Sequence, residues 1–276
     1  MVVVDDMIKL AFSTLGCPNW SWNDIFATAK DLGMAGIEIR GIEKEMYAPR
    51  MKIFSPENRD KTMERVRLAG VEIPILTSGA VLGDPERRAE ALREAADYTA
   101  LAAALGVPYV RVLASLPPQP VEADLGQARE LYLELCSQAK EKGITLLIET
   151  NGVLGDTAVM KKFMQGTDPD CSGVLWDLHH PHRYFGESAE QSWENIGEYV
   201  RHVHVKDSAM KNGQLQYRMM GYGDVPVFDA MRLLSGSGYD GFVSLEWTKR
   251  WNEDLEEPGI VFYHYHNYML YLLEQL

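Results

Sequence analysis

The stretch GITLLIETN, residues 143–151, decides the fold. Gly143 stops a helix-length amphipathic run at 122–142. A β-rich run, ITLLIET (144–150), follows and ends in an acid, Glu149, with Asn151 two residues on. Alternation along a strand puts Thr145, Leu147 and Glu149 on one face. One helix, one strand and a polar side chain at the strand's end make a repeating unit, and the same pattern recurs along the chain.

Seven more β-rich runs fit it: KLAFSTL (9–15), GIEIRG (36–41), EIPILTS (72–78), YVRVLAS (109–115), GVLWDL (173–178), RHVHVKD (201–207) and FVSLEW (242–247). The eight lie about 33 residues apart on average, the length of a strand–helix unit with its loops. Helix signals fall between them. Ser21 with Asp24 reads as a capping box closed by Gly33. Ser55-Pro56 opens a second helix closed by Gly70, and Asp84-Pro85 a third closed by Gly106. An open doubly wound sheet would show a glycine-rich phosphate turn after its first strand, but GCPNWSW (16–22) is not one. The pattern predicts an α/β protein built as a (β/α)8 TIM barrel, a single domain over residues 1–276.

Active sites of such barrels lie at the C-terminal ends of the strands. Strands five to eight end in Glu149, Asp177, His204 and Glu246. A lone strand-end acid is usually a cap or a solvated loop residue, and a lone histidine is usually structural. Four metal-competent side chains on four neighbouring strands share one quadrant of the mouth and ask for one cause. His202 lies a layer deeper than His204, so His204 is the expected ligand. Three carboxylates and one imidazole form a hard, oxygen-rich set. It suits one divalent ion, Mn(II) first, with Mg(II), Co(II) or Zn(II) as alternatives.

The order Glu149, Asp177-x-x-His180, His-x-His204 and Glu246 resembles the sugar phosphate isomerase/epimerase superfamily with a xylose isomerase-like barrel. GIEIRG, VRV (110–112) and a GYxGxxSxEW run at 238–247 are similar too, so the likeness spans the chain. The resemblance implies that Glu149, Asp177, His204 and Glu246 hold the metal. It implies that Glu149 and Glu246 are the acid/base pair of an isomerase or epimerase working through a cis-enediolate, and that His180 meets a substrate oxygen. The ketose 3-epimerases carry an arginine shortly after the strand-seven histidine, in a His-x-Gly-Glu context. Here the run is His204-Val-Lys206-Asp207, similar to dehydratase-like members. Lys206 reads as a substrate contact or a second base, with an ion pair in the neighbourhood of Asp207 as the plain alternative, and a lyase of a keto-cyclitol or keto-glycoside stays open as the alternative reaction.

Further expectations attach to single residues. Asn151 and Arg40 are candidate substrate contacts, and Trp20 is a candidate to stack on a sugar face. Glu38 and Arg111, inward on strands two and four, are expected to pair with each other. Trp247, Lys249, Arg250 and Trp251 read as a rim, and the polar run 211–223 with its two closing glycines as a lid. His179 reads as a loop or packing residue. The aromatic terminal run (262–276) is expected to cover the barrel bottom or a subunit interface in a homo-oligomer.

Composition narrows the partners. The chain has 276 residues and a net charge of −13, a poor match for a nucleic-acid backbone. No histidine precedes His179, which disfavours the three-metal abasic-site nucleases of the same superfamily. The intact ligand set argues against a non-catalytic sugar-binding barrel. Three widely spaced cysteines suit a reducing compartment. The N-terminal MVVVDDMIKL reads as neither a signal peptide nor a membrane span. These features predict a cytoplasmic protein with no nucleic-acid or membrane partner, and the resemblance implies that its substrate is a small sugar.

Overall fold

Strand-forming segments pair in parallel around a ring. The computed structural model describes residues 8–276, so the expectation for the N-terminal segment lies largely outside the described residues. The strands are β1 (Lys9–Ser13), β2 (Gly36–Glu38), β3 (Ile75–Val81), β4 (Tyr109–Leu113), β5 (Thr145–Glu149), β6 (Ser172–Asp177) and β7 (Val200–Val205). A hairpin, β8 (Asp207–Lys211) and β9 (Gln214–Arg218), precedes β10 (Phe242–Leu245). The parallel order is β2-β1-β10-β7-β6-β5-β4-β3. Between β2 and β3 the ring is joined by two isolated bridges, Gly36 to Glu72 and Ile39 to Leu76. The expected (β/α)8 barrel is the fold observed.

Nine helices among the described residues follow or flank these strands: α1 (Trp22–Leu32), α2 (Arg59–Leu68), α3 (Arg88–Leu105), α4 (Leu125–Lys140), α5 (Thr157–Met164), α6 (His179–Phe185), α7 (Ala189–Ile196), α8 (Val227–Gly236) and α9 (Pro258–Leu273). The Ser21/Asp24 capping box is present, with both reciprocal bonds made. Most strands and the fourth helix are a few residues shorter than the sequence reading, and two boundaries have a clear local cause. The third strand starts at Ile75, because Pro74 has no amide to offer a ladder. The second helix starts at Arg59, because residues 55–58 form a turn in which Ser55 O accepts from the Asn58 and Arg59 amides, both at 2.9 Å.

Alternation sorts the side chains as the pleat requires. Val174, Trp176, Val203 and Val205 face outward into the main core between strands and helices. Trp176 meets Trp193 of α7 at 5.7 Å. Inside the barrel, Ile75, Leu147 and Leu175 form a separate apolar floor. Each such buried leucine contributes about 1.5–3 kcal/mol. Polar side chains fill the layers above this floor. The last helix does not cover the barrel bottom. It packs beside α1 and against β1, with Phe262 stacked on Phe12 at 4.2 Å and Tyr265 Oη donating to Val243 O at 2.7 Å.

Candidate active site

Four strand ends build the centre. Glu149 and Asp177 are the last residues of β5 and β6, and His204 is next to last on β7. Glu246 follows β10, and its amide donates to Val205 O at 3.0 Å. Asp177 lies in register with His204, and His204 with Ser244. One donor atom from each of the four lies within 4.8 Å of every other. His204 Nδ1 is 3.6 Å from Glu246 Oε1 and 3.8 Å from Asp177 Oδ2. Donors bound to one ion at about 2.0–2.2 Å stand roughly 3–4.4 Å apart, depending on the angle between them. His204 Nδ1 is buried, has no hydrogen-bond partner and faces these carboxylates. An orphaned imidazole nitrogen among carboxylates fits a divalent ion.

The surroundings orient the donors. Glu38 Oε2 meets His204 Nε2 at 2.8 Å and His202 Nε2 at 3.1 Å. That contact fixes the ring so that Nδ1 points inward, as a supporting carboxylate does for metal-bound histidines. Burial alone would lower the His204 pKa, but Glu38 and Glu246 outweigh it and push it up to about 9. A metal takes the neutral ring, so an ion would bind there with loss of that proton. Glu38 does not pair with Arg111 as expected. The two histidines of β7 stand closer to it, and Arg111 Nη1 meets Glu149 Oε2 at 3.1 Å instead. Burial raises Glu149 to about 7 against the pull of Arg111. Burial also acts on Glu246, but Lys206 and His204 outweigh it and hold that carboxyl below its usual range.

Lys206 enters the centre itself. Its ammonium is 1% exposed, contacts Asp177 Oδ2 and lies 2.6 Å from Glu246 Oε2. Asp177 Oδ1 accepts from the His179 amide at 2.9 Å, so Oδ2 is the oxygen turned toward His204 and shared with Lys206. His180 Nδ1 bonds Thr150 O at 2.9 Å, which leaves Nε2 facing Asp177 Oδ2 at 3.6 Å. Burial holds His180 near 4, so its ring is neutral at pH 7.

Residues 26–261 match the model of the xylose isomerase-like TIM barrel family. The chain belongs to that family. A curated relative, fructoselysine 3-epimerase of Escherichia coli O157:H7, is 23% identical over 254 residues, spanning 87% of this chain and 90% of that protein. Two solved structures share the fold. A probable 3-DHS dehydratase from Bacillus anthracis superposes with a TM-score of 0.78 at 14% identity, covering 95% of this chain and 99% of that one. A xylose isomerase-like TIM barrel protein from Mycobacterium smegmatis, in complex with magnesium, gives 0.75 at 18% identity over 99% of each chain.

This xylose isomerase-like barrel opens above the donors into a cavity of about 640 Å³. Arg40, Arg111, Asn151, His180 and Lys206 line it. Asn151 Nδ2 is used to hold the β4 loop, donating to Ser115 O at 2.7 Å and Pro117 O at 3.1 Å. Trp20 is not among the lining residues; its ring meets Phe262 edge-on at 5.7 Å and packs on the core. Trp247 is buried, with Nε1 donating to Glu256 O at 3.0 Å, and is no rim residue. Trp251 and Asn252 do reach the cavity.

The run expected as a lid is instead the β8–β9 hairpin plus a tethered loop, and it supplies Leu215 and Tyr217 to the cavity wall. The sequence signal was Asn212-Gly213, the pair favoured in two-residue hairpin turns, and both adopt positive φ. His179 stacks on Tyr217 at 5.6 Å and meets Ser208 Oγ at 2.9 Å, so it anchors the hairpin.

Proposed function

We propose that this chain is a divalent-metal-dependent epimerase or isomerase of a ketose or keto-sugar. The observation that carries the reading is the cluster of Glu149, Asp177, His204 and Glu246 with the unpartnered His204 Nδ1 aimed into it. The fructoselysine 3-epimerase relative supports the same reaction class. The oxygen-rich donors favour Mn(II), with Mg(II), Co(II) or Zn(II) as alternatives. When bound, the ion would supply Lewis-acid polarisation of the substrate carbonyl.

The chain's own residues then do the rest. Glu149 and Glu246 stand as the acid/base pair on opposite faces of the sugar: one removes the proton beside the carbonyl, leaving a cis-enediolate, and the other returns a proton. Two glutamates sharing such a task need unlike environments. Glu246 abuts an ammonium, whereas Glu149 shares a buried guanidinium. His180 Nε2 faces a substrate oxygen, and Asn151, its amide nitrogen engaged, offers Oδ1. The packing of Trp20 on Phe262 leaves it out of this scheme. Three unbridged, buried cysteines suit the reducing cytoplasm in which we place the enzyme.

The position of Lys206 favours one second reading, a lyase or dehydratase. An ammonium beside two of the donors is placed to hydrogen-bond a departing hydroxyl and offset its developing negative charge. Both reactions begin with the same deprotonation. Incubation with keto-sugars in deuterated water should put deuterium beside the carbonyl, and Glu246→Gln should slow that exchange by about a hundred- to ten-thousand-fold. An unsaturated, ultraviolet-absorbing product selects the lyase. Absence of exchange across a keto-sugar panel, or full exchange in the Gln variant, defeats the assignment.

A further inference from the structure

The cavity's cations are unequally engaged. Arg111 is paired with Glu149, and Lys206 with Asp177 and Glu246. Arg40 follows β2 and lines the same cavity, yet its guanidinium has no hydrogen bond and no carboxylate within 4 Å among the described residues. Its backbone amide donates to Thr14 Oγ1 at 2.8 Å, which fixes the main chain. The charge of Glu94 is felt at Arg40, but that carboxylate is engaged by the Gly79 amide at 2.5 Å.

Placement and charge agree. Around the ring, β2 stands four strands from β6 in either direction, so Arg40 lies across the mouth from Asp177. The whole chain carries −13, so basic side chains in this cavity are not a reflection of composition. Arg111 and Lys206 are spent on the carboxylates of Glu149, Asp177 and Glu246, and Glu38 is held by the β7 histidines, which leaves Arg40 as the cation of this wall without a carboxylate partner. A neutral sugar would then partly desolvate a guanidinium and give it no counter-charge, whereas an anionic oxygen group would form charge-assisted, bidentate bonds.

Resting on the epimerase reading above, we propose that the substrate carries an anionic group, a carboxylate or a phosphate, and that Arg40 seats it on the side of the mouth facing the metal donors. Calorimetric titration in the presence of manganese tests this with D-fructose, D-fructose 6-phosphate and D-fructuronate. At least one anion should bind about ten- to a hundred-fold more tightly than fructose, and which one gains identifies the group. Arg40→Gln should erase the advantage, and Arg40→Lys should keep part of it, with the metal stoichiometry of both variants unchanged. Equal affinity for neutral and charged sugars, no binding of any of them, or an advantage that survives in Arg40→Gln overturns the proposal. If Arg40→Gln fails to fold, the wild-type preference and the lysine variant decide. Deuterium exchange separates the two readings. Exchange into neutral and charged ketoses alike sinks the anionic group and spares the epimerase, whereas a binding preference without any exchange sinks the epimerase.

Discussion

Lys206 sets the charge of the centre before any ion arrives. Its buried ammonium touches two of the four donors. Burial would lower its pKa, but Asp177 and Glu246 outweigh burial and keep it charged. A fixed cation at this distance opposes a divalent one. We expect Lys206→Met to bind Mn(II) roughly ten- to a hundred-fold more tightly, read by competition with a coloured chelator. The metal-free variant should lose about 3–5 kcal/mol of stability, because two buried carboxylates are left facing each other, and manganese should restore it. Unchanged or weaker metal binding would show that Lys206 orients Asp177 and does not compete with the ion. The clustering of Glu149, Asp177, His204 and Glu246 was legible because each falls at or next to the end of its strand. The pairings of Glu38, Arg111 and Lys206 were not. Several inward charges share one layer, and which meets which depends on the ring closing and on side-chain reach, neither of which periodicity encodes.

Asp207 shows the same logic one level up, in the hairpin element. Its carboxylate accepts from the amides of Ser208 at 2.8 Å, Gly221 at 2.9 Å, Gly223 at 2.8 Å and Val225 at 3.3 Å. These bonds pin the loop after β9 against the start of β8. Gly223 is required there, since a Cβ would stand 2.1 Å from Asp207 Oδ1. Asp207→Ala would leave buried amides without an acceptor and should cost about 2–4 kcal/mol in urea unfolding. Tyr217 sits on β9 and lines the cavity, so substrate affinity should fall in this variant as well, while metal stoichiometry stays at that of the wild type. A stability loss with no change in affinity would mean that the hairpin is a wall the substrate does not touch. Barrel strands announced themselves by apolar runs. The hairpin did not, because its strands are half-exposed and polar, and its one clear signal, Asn212-Gly213, sat inside a segment that hydropathy alone marks as loop.

At the scale of the whole molecule, the cluster of Glu149, Asp177, His204 and Glu246 lies on the side of the ring that is already best paired. Continuous ladders join β4 through β7 and on through β10, β1 and β2, whereas two bridges alone join β2 to β3. The weak seam follows from Pro74, visible in the sequence, and from a second strand that runs three residues where the sequence pattern suggested the six of GIEIRG. Three carboxylates meeting at the mouth repel one another, and Arg111, Lys206 and His204 stand among them. An ion bound by β5, β6, β7 and the end of β10 would bind the folded barrel alone, because the unfolded chain holds no such cluster. It should therefore raise the melting temperature by mass action. At a free metal concentration a hundred times its dissociation constant the gain is about 2.7 kcal/mol. For a chain of this length that corresponds to about 5 °C. Melting scans with Mn(II), Mg(II), Co(II) and Zn(II), each repeated with excess chelator, measure it. The shift should vanish in Asp177→Asn, which keeps the shape of the donor and removes its charge. A melting temperature indifferent to all four ions would remove the metal from this barrel, and the enediolate chemistry with it.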